Sequence, residues 1–157
     1  MIPEKLKKEL EERVASALTN REAAIDVMKE IQRHYGWLTD EGVVEAAEIL
    51  GLSPLQVEEL ATFYEMIYRR PVGKKVIHVC ESISCWSMNN EALMAHVARR
   101  LNVEPGGMTA DGMFTLLPCS CLGNCGDAPA MMIGDNIYGK VTLEMADEIL
   151  ENERKGY

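Results

Sequence analysis

The sequence predicts an α+β chain, an N-terminal four-helix bundle over residues 1–70 followed by an α/β domain over residues 71–157. Three observations predict it. Apolar residues recur at helical spacing from Leu6 to Ile67, in short runs separated by capping residues and glycines. The stretch Arg69-Arg-Pro-Val-Gly-Lys-Lys75 then breaks the composition, combining Pro, Gly and four cations in an otherwise acidic chain. Beyond it, short apolar runs at Val76–Val79, Phe114–Leu117 and Ala130–Ile133 alternate with helical patterns, as in layered α/β domains.

Taken in order, residues 4–18 place Leu6, Leu10, Val14 and Leu18 on one face of a first helix. Thr19-Asn-Arg-Glu22 has the form of a capping box that opens a second helix, with Ile25, Met28, Ile31 and Tyr35 inward and Gly36 as its stop. Thr39 caps a third helix with Val43, Ala46, Ala47 and Leu50 inward, stopped at Gly51. Ser53-Pro-Leu-Gln56 opens a fourth, whose buried face is Val57, Leu60, Ala61, Tyr64 and Ile67. A DNA-reading helix-turn-helix is excluded on charge. Pro54 to Ile67 carries Glu58, Glu59 and Glu65 and no Lys or Arg. After the cationic linker, a strand at Val76–Val79 delivers Cys80, and Ser87 caps a helix with Leu93, Met94, Val97 and Leu101 inward. Pro105-Gly-Gly107 is a turn, Phe114–Leu117 a second strand and Ala130–Ile133 a third, turning at Gly134-Asp-Asn136 into Ile137-Tyr138. Thr142 caps a last helix with Leu143, Met145, Ala146, Ile149 and Leu150 inward. This layering resembles the thioredoxin architecture.

With 157 residues, 47% of them hydrophobic, the chain can bury a real core. A formal net charge of −9 argues against a nucleic-acid partner and against an anionic membrane surface. No apolar run reaches the length of about 20 residues needed to cross a bilayer. The N-terminus interleaves Lys5, Lys7 and Lys8 with Glu4, Glu9, Glu11 and Glu12, unlike a signal peptide. The expectation is a soluble protein in a reducing compartment, with any membrane association made through partners.

Function is written in the cysteines. All five lie between Cys80 and Cys125, as Cys80-x4-Cys85 and Cys119-x-Cys121-x3-Cys125. Two pairs at the ends of one segment point to four thiolates on one inorganic centre. Zinc knuckles favour C-x2-C, whereas iron–sulfur clusters accept wider gaps, including C-x4-C. A [2Fe–2S] rhombus is longer than one ion, so each iron can take a pair from its own loop. Inert burial, a disulfide framework and a zinc site fit less well. Five thiols share one segment, the count is odd, and the chain is large enough to dispense with staples. Cys119 and Cys121 are too close for both to bind alongside Cys125. Cys121 shares the Gly123-containing loop with Cys125, leaving Cys119 as a buried spare. The amides of that loop can point at the sulfurs and help set the potential.

At these residues the chain resembles the thioredoxin-like [2Fe–2S] subunit of respiratory complex I, known as the E subunit of NADH–quinone oxidoreductase. The motifs are Cys80-x4-Cys85, Cys121-Leu-Gly-Asn-Cys125-x3-Pro129, Tyr35-Gly-x-Leu-Thr39, Ala61-Thr-Phe-Tyr64 and Asp111-Gly-x-Phe-Thr115, which together span nearly the whole chain. The resemblance implies a [2Fe–2S] cluster on Cys80, Cys85, Cys121 and Cys125, with Cys119 outside the ligand set. It also implies docking on a flavin- and NADH-binding subunit, with FMN and NADH only on that partner. Further iron–sulfur subunits would lie beyond it, in the cytoplasmic peripheral arm of a membrane-associated complex. Related diaphorase modules of soluble hydrogenases and formate dehydrogenases share the pattern. No G-x-G-x-x-G fingerprint is present, His34, His78 and His96 are scattered, and the carboxylates fall on helix faces as solvated groups. Catalytic residues are therefore not expected; the chain passes electrons. A zinc-stabilised adaptor is the non-redox rival. A thiol oxidoreductase would want C-x2-C at a helix start, which Cys80 to Cys85 misses.

Overall fold

The computed structural model describes residues 1–156, which divide into two compact units, Met1–Pro71 and a second beginning at Val72. Secondary structure is mixed, with helices throughout and one four-stranded sheet, an α+β architecture. Among the described residues no helix is long and apolar enough to cross a membrane.

The first unit holds α1 (Glu4–Ser16), α2 (Ala24–Tyr35), α3 (Asp40–Leu50) and α4 (Pro54–Phe63) around one core. Val27, Met28, Ile31, Leu38, Leu50 and Val57 are fully buried there, each such side chain contributing about 1.5–3 kcal/mol. Thr39 accepts from Gly42 N, Ser53 and Gln56 make a reciprocal box, and Gly36 and Gly51 close α2 and α3 in the left-handed region, as the sequence predicts. Three expectations are corrected. Leu18 lies beyond the end of α1 and is 93% exposed, because Ala17 is already extended. The Thr19–Glu22 box closes a turn before α2: Glu22 N donates to Thr19 Oγ1, but the Glu22 carboxylate accepts from Leu18 N. Tyr64 caps α4 at its C-terminus and is 41% exposed, while Ile67 is buried from outside the helix.

The segment after α4 is tied down by polar side chains. Gln32 donates to Met66 O at 3.0 Å and accepts from Tyr68 N at 2.6 Å. The Arg69 guanidinium bridges Glu58 through Nε, Asp40 through one terminal nitrogen and the Leu38 carbonyl through the other. Arg69 is thus a hub of the first unit, and Lys75 pairs with Glu153 from strand β1 (Lys75–Cys80) in the second. The expected cationic linker is split between the two units by these bonds, because Arg69 and Lys75 each find a carboxylate in their own unit. For Arg69→Ala, which strands Glu58 and a backbone carbonyl, we expect a loss of about 1–2 kcal/mol, discounted for the exposure of Asp40. An unchanged urea midpoint for that variant would contradict this role.

The second unit continues from β1 through α5 (Ile83–Ser87), α6 (Asn90–Leu101), β2 (Phe114–Cys119), a 3₁₀ turn (Cys125–Asp127), β3 (Met131–Ile133), β4 (Asn136–Tyr138) and α7 (Leu143–Lys155). The sheet order is β2-β1-β3-β4. Strands β1 and β2 are parallel, in register from Lys75 opposite Phe114 to Cys80 opposite Cys119, while β3 is antiparallel to both β1 and β4. Ile77, Val79, Phe114, Leu116, Met131 and Ile133 form the core with Leu93, Val97, Ala146 and Leu150.

The Asp111-Gly-x-Phe-Thr115 motif has a structural reading. Gly112 turns the chain with φ +67°, Asp111 accepts from Thr109 Oγ1 and Met113 N and pairs with Arg154, and Arg154 lies over the Phe114 ring. Thr115 Oγ1 accepts from Gly73 N at 2.7 Å, where a Cβ would fall 2.8 Å from the Phe114 carbonyl carbon. Helix α5 is absent from the sequence reading. Ser87 ends it, bonding back to Ser84 O, and does not cap α6, which starts behind a left-handed Asn89. On α7, Leu143 and Met145 are 36% and 38% exposed, so only Ala146 and Leu150 are fully inward. Not every carboxylate is solvated: Glu45 bonds Tyr35 Oη and Ile2 N, and Glu153 bonds Lys75 and Tyr138.

Candidate metal centre

Strand β1 ends at Cys80, and three hydrogen bonds hold that end. Cys80 N donates to Ala130 O at 3.1 Å, Glu81 N to Cys119 O at 2.9 Å, and Asn90 Nδ2 to Cys80 O at 2.9 Å. Asn90 is buried and its Oδ1 has no hydrogen-bond partner, so the side chain is spent on this one carbonyl. The chain then makes the short helix α5, which turns Cys85 back inward until it is 1% exposed. Across the same corner, β2 leads through Cys119 to the loop of Cys121 and Cys125. Cys80, Cys85 and Cys119 are buried together with Ala128 and Ala130, while Cys121 and Cys125 face solvent.

The two exposed sulfurs form a pair. Cys121 Sγ and Cys125 Sγ are 3.8 Å apart, which is about the separation of two thiolates on one tetrahedral metal with bonds of about 2.3 Å. Gly123, left-handed at φ +76°, aims its amide at Cys121 Sγ over 3.3 Å. Asn124 is not left-handed (φ −98°); the glycine alone makes the turn. That amide first, then the Cys125 thiol and the Ser82 hydroxyl, hold the Cys121 thiol below its ordinary value. Cys125 is pushed up, chiefly by Cys121, because the pair shares a proton that one member keeps. Burial pushes the Cys85 thiol up, opposed by the Ala130 amide and reinforced by its contact with Cys80. A metal that displaces these protons relieves both costs. Among the described residues no three Cys, His, Asp or Glu side chains are gathered to hold a single ion. Four thiols in two pairs suit a centre of two metals, one pair to each.

Residues that carry no thiol brace this loop. Gly139 packs against it so closely that a Cβ would lie 2.5 Å from Asp127 Cβ and 2.6 Å from Asn124 Nδ2. Lys140, left-handed at φ +51°, donates from its amide to Asp127 O at 2.6 Å and pairs through Nζ with the Asp127 carboxylate. A groove of about 750 Å³ opens beside Cys125, edged by Ser84, Met88, Lys140 and Leu143. Sequence reasoning missed Gly139, Lys140 and Asn90, which sit outside the cysteine motif; only the glycine preceding a capped helix offered a signal. Two of the histidines have other partners: His34 packs on Tyr35 and His96 pairs with Asp147.

The profile of the thioredoxin-like [2Fe–2S] ferredoxin family matches residues 8–154. The chain belongs to that family. Its cofactor is accordingly a [2Fe–2S] cluster, and the paired thiols fit it. Among curated proteins, the E subunit of NADH-quinone oxidoreductase from Pseudomonas aeruginosa is 41% identical over 131 residues, covering 83% of this chain and 79% of the relative. That of Escherichia coli K12 is 41% identical over the same length and coverage. Among solved structures, the NAD+-reducing [NiFe]-hydrogenase in its air-oxidised state superposes with a TM-score of 0.69 at 20% identity, a likeness of fold. It covers 83% of this thioredoxin-like ferredoxin but only 23% of the hydrogenase chain.

Proposed function

We propose that this chain is the one-electron carrier of the NADH-oxidising module of NADH–quinone oxidoreductase, its [2Fe–2S] cluster held by Cys80, Cys85, Cys121 and Cys125. The single observation that carries the reading is the kinship with the E subunits of that complex, at 41% identity over 83% of the chain. The convergence of these four thiols supports the ligand set. When bound, the cluster supplies one-electron chemistry without making or breaking a bond to substrate. The protein supplies four thiolates, points the Gly123 amide at sulfur, and keeps water from the Cys80–Cys85 side by burial. Cys119, buried at the end of β2, stays outside the ligand set.

Flavin and NADH belong on a partner subunit, from which electrons reach this chain, and further iron–sulfur subunits lie beyond. The assembly sits in the cytoplasmic peripheral arm of a membrane-associated complex. Residues 1–70, a four-helix bundle, serve as the docking module. Phe63, Leu55 and Leu18, exposed at 77%, 78% and 93%, supply apolar surface for that contact. A second reading, the equivalent diaphorase subunit of a soluble hydrogenase or formate dehydrogenase, draws on the fold likeness to the NAD+-reducing enzyme.

Co-expression with the flavoprotein of each candidate complex tests both. We expect a stable complex with the NADH-oxidising flavoprotein of the quinone reductase, and loss of co-purification when residues 1–70 are deleted from a chain that still carries its cluster. Equal retention of the truncated chain would remove the docking role. A full chain that elutes alone would remove the subunit reading, and capture by the hydrogenase flavoprotein only would favour the second.

A further inference from the structure

Two of the five thiols differ from the others in what can reach them. Cys121 and Cys125 face solvent on one loop, with their sulfurs 3.8 Å apart. Gly123, left-handed between them, folds the loop back so that its amide meets Cys121 Sγ at 3.3 Å. The groove of about 750 Å³ that Cys125 and Gly126 help to line brings dissolved molecules to this side. A disulfide needs its sulfurs at about 2.05 Å, a change that rotation of two exposed side chains can supply. The loop also has slack beside Cys125, where a Cβ on Gly126 would meet nothing within 4 Å. The remaining thiols are sealed. Cys80 and Cys119 stand opposite each other in the β1–β2 ladder at 2% and 4% exposure, and Cys85 is at 1%.

We propose that Cys121 and Cys125 are a redox modification site: before they bind metal, a hydroperoxide joins them in a reversible disulfide that bars the centre from loading. One sulfur, as thiolate, attacks the peroxide O–O bond and becomes a sulfenic acid, while hydroxide leaves and takes the released thiol proton as water. The neighbouring sulfur then attacks the sulfenic sulfur. The S–S bond forms, the S–O bond breaks, and a second hydroxide leaves as water with the second thiol proton. Two thiols and one hydrogen peroxide thus give one disulfide and two waters, the sulfurs losing the two electrons that the peroxide gains. A dithiol reverses the step by exchange through a mixed disulfide and is itself oxidised. Closeness decides the outcome, because a sulfenic acid with no thiol beside it goes on to sulfinic acid, which dithiols do not reduce. The bar on loading rests on the ligand set proposed above, since joined sulfurs block the centre only if they are its ligands.

The test uses the full-length chain, stripped of iron by a chelator under reduction, freed of reductant and exposed to equimolar hydrogen peroxide. Its mass is expected to fall by about 2 Da, the two hydrogens lost. Thiols that alkylate in denaturant should fall from five to three, and peptide mapping should place the bridge between Cys121 and Cys125. Uptake of iron and sulfide on reconstitution should drop to below about a tenth, and dithiothreitol should restore it. Cys119→Ala should still form the bridge, whereas Cys125→Ser should show no bridge and gain oxygen at Cys121, about 16 Da per atom. Five free thiols after peroxide would overturn the inference, as would a bridge from Cys80 to Cys119 or sulfinic acid at Cys121 and Cys125 without a bridge. Should Cys119→Ala fail to fold, the bridge mapped in the wild-type chain decides. The two readings fail separately. A wrong ligand set shows as a normal cluster in Cys121→Ala, whereas failure here shows as an unbridged chain, whichever thiols bind iron.

Discussion

Single replacement of Cys80, Cys85, Cys121 or Cys125 by alanine is expected to reduce bound iron and acid-labile sulfide from about two of each per chain to below about a tenth of that, with loss of the spin-half EPR signal after dithionite. Each residue supplies one of four thiolates, and an alanine offers no donor to replace it. Cys80 and Cys85 are 2% and 1% exposed, so their truncation also opens a small void in the packing. Serine versions, which nearly preserve volume, separate loss of ligation from loss of folding when circular dichroism is read alongside iron content. Cys119→Ala should keep the wild-type spectrum. Its position opposite Cys80 in the β1–β2 ladder makes it a packing residue. A lost cluster in the Cys119 variant beside a normal one in the Cys121 variant would reverse the assignment. Stoichiometric zinc without sulfide, from cells supplied with iron, would favour the non-redox adaptor.

Gly139→Ala is expected to be the most damaging substitution outside the thiols. The added Cβ would overlap Asp127 Cβ and lie 2.9 Å from the Asp127 carbonyl oxygen, which accepts the Lys140 amide. Backbone cannot yield as a flexible side chain can, so the loop from Cys121 to Asp127 must move, at a cost of about 2–3 kcal/mol. That displacement spreads the 3.8 Å sulfur pair and should broaden or shift the EPR signal and speed cluster loss in air. Gly126→Ala is the control. It lies in the same loop, but a Cβ there meets nothing within 4 Å. Equal damage from both variants would refute the steric account; a silent Gly139→Ala would refute the brace itself.

Much of the molecule is legible in local sequence. Caps at Thr39, Ser53 and Thr142 and stops at Gly36 and Gly51 act within one helical turn, so short-range chemistry specifies them. The same holds for the β-branched run into Cys80 and for the cysteine spacing, since ligand number and loop length are properties of the chain itself. The misplaced elements depend on distant partners. Leu18 continues a helical period but finds no neighbour to bury it, and the Glu22 carboxylate chooses Leu18 N over its own cap. Helix α5 has only five residues, too few to stand without packing. Arg69 reads as a linker charge until Glu58 and Asp40 arrive beside it.

The site divides along the same line. Residue identity and spacing settle which atoms are available, four soft thiolates in two loops with one thiol over, and hence the kind of centre they suit. Which thiols are buried and which face solvent follows from the folded chain alone. So does the pressure of Gly139 against the loop. Burial, hydrogen bonding to sulfur and steric closeness are relations between segments far apart in the chain, fixed when β1 and β2 pair in register and α5 folds back over the corner.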